Sequence, residues 1–485
     1  MSYLELLKLA SPEAIVAVTA LVVLAIGLTN NQRTMAGASL VAALGLAGAT
    51  IAVLNLPPHA VLFHGMLVVS PLNSLFKIIC LVLAFFTVLL ARGDHAARHH
   101  GEYLALILLA TIGLLLLVGS EELLMIFIGL ELTGLSLYVM TAFDRSDFRS
   151  AEAGLKYFLF GSMASAFTLF GLSLIYGLTG TTGLAAIAQT LGASPIQPLL
   201  AAGIVMTLIG FAFKVAVAPF HLWAPDVYQG APVPTAAFIA SGSKVASFVV
   251  LGKIVLIGFG PLHGSADWQA LAAGWSPLLA LLAALSILLG NLVALVQKNV
   301  RRLLAYSAVA HAGYTLLGLV AGGRDGFSAT LFYTTIYAIT LVGAFGVVTL
   351  VRRATGGDDF SNVAGLRARS PLLAGCMAIF MLSLAGLPPL AGFFGKFYLF
   401  SVAFGSGENH GLLWLVALAL FGSLISLYYY LLVLKVIFVD PTQAGEATIA
   451  PGFLQRVSLG VLAAGIVLLG VIPGALVARI ATALH

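Results

Sequence analysis

The stretch I-G-F-A-F-K-V-A-V-A-P-F-H-L-W, Ile209 to Trp223, sets a lysine in an apolar run and follows it with Pro219 and His221. Runs of this kind recur from end to end. Of 485 residues, 61% are hydrophobic and 8% charged, against about 25% charged in a typical soluble domain. Runs long enough to cross about 30 Å of hydrocarbon lie near 12–29, 35–54, 70–91, 103–118, 122–143, 154–178, 198–223, 233–257, 277–297, 303–321, 327–351, 371–404, 411–439 and 454–481. The expected fold is an all-α polytopic membrane protein of about fourteen transmembrane helices, one membrane domain over 1–485. The longest polar stretch, Arg352 to Ser370, is too short for a soluble domain. Glu5 and Glu13 flanking Lys8 do not fit a signal peptide, which wants a basic start, so the first helix is expected to be retained.

Numbering the loops from the N-terminus, the odd ones carry Arg33, Arg92, Arg98, Arg145, Arg149, Lys298, Arg301, Arg302, Arg352, Arg353, Arg367, Arg369 and Arg456, the other side only Lys8, Arg324 and Arg479. Odd loops are therefore expected to face the cytoplasm and both termini the periplasm. The net charge of +5 needs no nucleic-acid partner.

The remaining seven cations are Lys77, Lys156, Lys214, Lys244, Lys253, Lys396 and Lys435, and no arginine lies in the interior of an apolar run, Arg456 and Arg479 standing at the two ends of the last. Arginine stays charged, whereas a buried lysine can surrender its proton. Glu131 is the one carboxylate in the middle of a run. A charge at the bilayer centre costs about 2.5–3.5 kcal/mol even on the lenient scale, so Lys214, Lys244, Lys396 and Glu131, too deep to snorkel, read as functional. Lys77, Lys253 and Lys435 lie nearer span ends and are expected to snorkel. Lys156, four residues after Glu152, reads equally as an i,i+4 ion pair.

Pro219 follows Lys214 by five residues, and Pro388 and Pro389 precede Lys396. Proline removes a backbone donor, and broken backbone at membrane depth is tolerated where it lines a cavity or is covered by protein. His221 and His311 are candidates for proton relay beside the plainer reading of satisfied core histidines. His95, His99 and His100, among Arg92, Asp94 and Arg98, read as a solvated loop rather than a metal site. Cys80 and Cys376 are too few and too far apart for an iron–sulfur cluster, and neither a Rossmann fingerprint nor a P-loop occurs.

The segments LLMIFIGLELTGLSLYV, AEAGLKYFLFGSMASAF, FKVAVAPFHLWAPDVYQGAP, SGSKVASF, RRLLAYSAVAHAGY and LSLAGLPPLAGFFGKFY, in this order, resemble the antiporter-like membrane subunits of proton-pumping NADH-quinone oxidoreductase, respiratory complex I, and among them the N type. The wider family includes the M and L types and Mrp-type cation/proton antiporters. Lys396 stands where M-type subunits carry a glutamate, and the fourteenth run is expected to be the last, without the lateral helix of L-type subunits.

The resemblance implies two inverted five-helix repeats, 103–257 (helices 4–8) and 277–439 (helices 9–13), with helices 7 and 12 broken. It implies that Glu131 pairs with Lys214, that Lys244 connects two half-channels, and that Lys396 is the terminal donor on the periplasmic route, with His221, His311 and Lys156 in support. It implies a bacterial inner membrane location and neighbouring M and K subunits. This chain would bind no cofactor itself, FMN, iron–sulfur clusters and quinone lying in partner subunits, and would do no redox chemistry alone. An Mrp-type antiporter without a redox partner, and a structural anchor for an oxidoreductase, stay open.

Overall fold

Apolar sequence alone does not say where helices start, stop or break; caps, glycines and prolines do. A computed structural model describes residues 3–29, 32–92, 99–192, 197–406, 410–441 and 448–484; His95 lies outside them. The chain opens with α1 (Tyr3–Leu9) and α2 (Ser11–Gly27), bent against each other by 78°. It continues through α3 (Gln32–Leu54), the short hairpin β1 (Ala60–Leu62) and β2 (Leu67–Val69), α4 (Pro71–Ala91), α5 (His100–Gly119), α6 (Leu123–Thr141) and α7 (Phe148–Thr179). The hairpin is antiparallel, with Ala60 opposite Val69. Side-chain caps open several helices: Ser70 before α4, Glu122 before α6 and Asp147 before α7 each accept a backbone N–H.

After the short α8 (Leu184–Leu191), α9 (Pro198–Val215) stops at Ala216, whose left-handed backbone (φ 59°) turns the chain out of the helix. Residues 216–222, with Pro219, bridge to α10 (Trp223–Gly230). The same device recurs later. Then α18 (Pro371–Ala385) ends at left-handed Gly386 (φ 84°), Pro388 and Pro389 follow, and α19 (Ala391–Gly405) resumes. Both breaks expected around Pro219 and Pro388 are present.

Between the breaks, 233–258 forms one span made of α11 (Val233–Phe238), a π turn, α12 (Lys244–Lys253) and a second π turn. Next come α13 (Trp275–Ala294), α14 (Val300–Ala321) and α15 (Gly323–Thr355), with the short α16 (Phe360–Val363) and α17 (Leu366–Arg369) leading into α18. The chain closes with α20 (Leu413–Phe438), α21 (Phe453–Val471) and α22 (Gly474–Ala483). Each of the fourteen runs holds helix, but among the described residues twelve helices are individually long and apolar enough to cross a membrane; the α1–α2 pair and the two halves α18 and α19 fill the other places.

Three spans form the centre. In 233–258, α14 and α15, 94% of the hydrophobic window is buried inside the protein, against 33% for α7 and 28% for α21 at the periphery. Close approach is bought by small residues: a Cβ on Gly27 of α2 would stand 2.8 Å from the Cα of Gly101 in α5.

Burial also corrects two readings. Lys77 (4% exposed) and Lys253 (0%) do not snorkel: Lys77 pairs with Glu13 at 2.6 Å, and Lys253 donates to Asn73 and to the carbonyls of Val118 and Ser120. Their position near helix ends misled because the ends of neighbouring helices, Glu13 at the start of α2, Asn73 at the start of α4 and Val118 and Ser120 at the end of α5, supply partners that hold the ammonium groups inside. His100 is likewise buried and bonded to Ser39 at 2.8 Å, not solvated in a loop. Arg301, in the first turn of α14, is buried at 2% exposure, pairs with Asp358 and donates to the carbonyl of Ala231 at 2.8 Å.

Candidate proton relay

Glu131 projects from the middle of α6, and a hydroxyl, not a lysine, meets it: Ser165 of α7 donates to its Oε1. Lys214 lies in the last turn of α9 with its Nζ 3.4 Å from the carbonyl of Leu130 and 5.8 Å from the centre of the Tyr138 ring. Gly134 leaves the room it occupies, since a Cβ there would come within 2.9 Å of Nζ. The direct Glu131–Lys214 ion pair implied by the family resemblance is not formed. No carboxylate oxygen lies within 4.0 Å of Lys214 among the described residues, because Lys214 turns to the α6 backbone at Leu130 while the Glu131 side chain turns to α7.

Lys244 opens α12 at the end of a π turn. Its Nζ donates to the carbonyl of Ala308 on α14 at 2.6 Å and lies 5.1 Å from the centre of the Tyr337 ring. One turn along α14, His311 sits tilted against that ring at 4.9 Å. Its two ring nitrogens are both engaged, Nδ1 with the hydroxyl of Tyr333 at 2.7 Å and Nε2 with that of Tyr430 at 3.0 Å. A neutral imidazole donates from one nitrogen and accepts at the other, so this pair of contacts suits passage of a proton through the ring. On the far side, Tyr314 stands edge-on to His311 at 5.5 Å. Lys396 of α19 lies 5.4 Å from the Tyr314 ring centre, donating to the carbonyl of Ala385 at 3.1 Å and to Ser423 at 2.9 Å.

A buried array, Lys244, Tyr337, His311, Tyr333 with Tyr430, Tyr314 and Lys396, therefore crosses the central helices. Asn291 braces it, donating to the Tyr314 hydroxyl at 2.8 Å and accepting from Tyr429 at 3.0 Å. All three lysines share one environment, a neutral acceptor at the ammonium and a tyrosine face beside it. Neutral acceptors hold an ammonium less firmly than a carboxylate does, so the arrangement favours a group that gains and loses its proton.

Two candidates stand apart. His221 lies in the break between α9 and α10, buried, with no hydrogen-bond partner at Nδ1, its ring 6.4 Å from that of Tyr306. Lys156 pairs with Glu152 at 2.7 Å and Asp226 at 2.6 Å, and Arg302 reaches Asp226 at 2.8 Å. Burial works against the Asp226 carboxylate, yet its hydrogen bonds to Lys156 and Arg302 hold it below the usual carboxylate range. This cluster clamps α7 to α10 and α14. Among the described residues no group of three or more histidines, cysteines or carboxylates could hold a metal.

Comparison with known proteins fits this geometry. A family model described as NADH:quinone oxidoreductase/Mrp antiporter, TM, matches residues 120–426. NADH-quinone oxidoreductase subunit N 2 of Acidobacterium capsulatum is 45% identical, with 98% of both chains covered. A chain of respiratory complex I from Thermus thermophilus, solved with bound aureothin, superposes with a TM-score of 0.77 at 34% identity over 96% of this chain and 98% of that one. A chain of the Mrp complex from a Dietzia species shares the fold, with a TM-score of 0.83 at 22% identity over 99% of this chain and 97% of that one. With its interrupted helices and buried lysines, this chain belongs to the NADH:quinone oxidoreductase/Mrp antiporter membrane family, among the subunits N of NADH-quinone oxidoreductase.

Proposed function

We propose that this chain translocates protons in the membrane arm of NADH-quinone oxidoreductase, driven by electron transfer from NADH to quinone in other subunits. The observation that carries the proposal is the hydrogen-bonded His311 between Lys244 and Lys396, buried where no structural need calls for two unpaired cations. Moving a proton against about 200 mV requires roughly 4.6 kcal/mol. Discharging a buried lysine is work of that order.

In this reading Glu131, Lys214 and His221 serve the first half of the path, 103–257, and Lys244 hands protons to the second, 277–439. There His311 and its tyrosines carry them to Lys396. Glu131 acts on Lys214 through space or water, since the two make no ion pair. Lys156 supports the path by fixing α7 against α10. The chain sits in a bacterial inner membrane with both termini periplasmic, beside the M and K subunits, and FMN, iron–sulfur clusters and quinone belong to its partners.

In membranes carrying a tagged copy, mildly solubilised and run on a native gel, the chain is expected to migrate with NADH dehydrogenase activity. Lys244→Ala and Lys396→Ala are expected to assemble there and to lower the proton-to-electron ratio. Parental ratios in both would overturn the relay. Migration apart from redox activity, with sodium-dependent transport, would favour the antiporter reading that the Mrp likeness in fold keeps in view.

A further inference from the structure

A circuit of aromatic contacts spans the break between α9 and α10. Trp223, the first residue of α10, is buried at 2% exposure, and its indole Nε1 donates to the carbonyl of Phe213, in the last turn of α9, at 3.1 Å. Its ring stacks on that of Tyr157 of α7, 4.4 Å between centres and 10° between planes, and lies tilted 5.2 Å from that of Phe213. Tyr157 meets Tyr138 of α6 edge-on at 4.8 Å. Tyr138 in turn faces the ammonium of Lys214, the residue after Phe213. Trp223, Tyr157, Tyr138, Lys214 and Phe213, from four helices, thus close on one another round the break. Stacked and edge-on ring pairs at such separations are directional as well as attractive.

Two features set this circuit apart from general packing. The Tyr138 hydroxyl is buried with no hydrogen-bond partner among the described residues, so ring contacts rather than a hydrogen bond hold it in place. There it flanks Gly134 together with Lys214, since a Cβ on that glycine would stand 2.9 Å from Nζ and 3.2 Å from the hydroxyl oxygen. Trp223 and Phe213 also border a cavity of about 180 Å³, with Met163, Pro219 and Phe220 on its wall. Packing therefore leaves the indole room on that side, and its N–H and its stack fix it.

We propose that Trp223 is a positioning residue of the relay: it bridges the break and, through Phe213 on one side and Tyr157 with Tyr138 on the other, holds the Lys214 ammonium at the Leu130 carbonyl and the Tyr138 face. The proposal rests on the relay reading above. An interrupted helix leaves its last turn without a following one to anchor it, and displacing a transferring group by about 1 Å can cost roughly a hundredfold in rate. The plain alternative is core filling, in which any large apolar ring would serve. Trp223→Phe separates the two, because it keeps a ring and removes the N–H. The Phe213 carbonyl retains the amide of Ala216 at 3.0 Å, so no acceptor is stranded and the variant is expected to assemble.

The test uses the whole complex in sealed vesicles, with NADH oxidation and proton-to-electron ratio read together for Trp223→Phe, Lys214→Ala and the double variant, and assembly followed on a native gel. Trp223→Phe is expected to show at least half the loss in ratio that Lys214→Ala shows. The double variant is expected to pump like Lys214→Ala alone, since a residue that acts through Lys214 has nothing left to position. A smaller loss in Trp223→Phe, or a double variant that loses more than Lys214→Ala, would overturn the positioning role and leave Trp223 a filler. Should Trp223→Phe fail to assemble, Tyr157→Leu, which opens the circuit on its other side, decides by the same comparison. If Lys214→Ala pumps at the parental ratio, the relay has failed and the positioning role falls with it; a loss there beside a parental ratio in Trp223→Phe overturns the positioning role alone.

Discussion

Tyr430 holds the Ser307 hydroxyl and His311 Nε2 with one oxygen, while Tyr333 holds Nδ1. Removing that oxygen leaves two buried polar groups short of a partner, at about 1–3 kcal/mol for each. Tyr430→Phe is therefore expected to lower the thermal stability of the solubilised complex by a few degrees and to slow coupled turnover by about tenfold if 1.4 kcal/mol falls on the rate-limiting transfer. Unchanged turnover with lowered stability would make the tyrosine a brace only. The lysines were legible in the sequence because a cation in an apolar run stands out against a bilayer. The tyrosines were not, since nothing in their local sequence marks Tyr314, Tyr333, Tyr337 and Tyr430 until the fold gathers them round His311, in the case of Tyr430 from more than a hundred positions away. Snorkelling of Lys77 and Lys253 failed for the same reason. Depth along one's own helix says nothing of which polar groups neighbouring helix ends bring to the same level.

At the scale of elements, the breaks explain an asymmetry visible in the sequence, where Lys214 precedes its proline and Lys396 follows its pair. Lys214 rides the last turn of α9, the half-helix that ends at its break, whereas Lys396 rides α19 and reaches back to Ala385 O at the end of α18. The Lys214 ammonium thus leaves its own half-helix for Leu130 O of α6, while that of Lys396 lies at the carbonyl end of a half-helix, where the dipole favours positive charge. Gly386 makes the second case possible. Its φ of 84° would cost a side chain about 1–2 kcal/mol, and a Cβ would stand 3.0 Å from Lys396 Cδ. Gly386→Ala is accordingly expected to assemble and to pump less per electron, a result that a mutant with parental stoichiometry would refute. The clamp at Asp226 carries a pH signature. Because its folded pKa is depressed, its contribution is present at neutral pH and is lost as pH falls through the folded value. Asp226→Asn should thus destabilise at neutral pH and differ less from the parent in acid, as melting at both pH values will read.

For the whole molecule, the bias of basic residues predicts the orientation. With both native cysteines buried, Ala354→Cys should react with an impermeant maleimide from the cytoplasmic side and Leu271→Cys, 75% exposed, from the periplasmic side. The reverse pattern would invert every assignment of entry and outlet. The Arg301–Asp358 pair ties α14 to the 356–359 turn, and Asp358→Ala, which leaves a buried cation unpaired, should cost about 3–5 kcal/mol and abolish assembly on a native gel. That the chain is a bundle of membrane helices followed from composition, but which spans lie innermost did not, since an apolar helix reads alike whether lipid or protein surrounds it.

That distinction governs how the chain tolerates change. The helices at 233–258, 300–321 and 323–355 meet protein on almost every side, so a library of substitutions there is filtered by volume, to within about a methylene. On the outer faces of α7 and α21, wherever lipid rather than a partner subunit covers them, hydrophobicity is expected to be the filter, with isoleucine, leucine and phenylalanine interchangeable. Variation among functional sequences should therefore separate these helices into two classes although their mean hydropathies, 1.5 to 1.9, overlap.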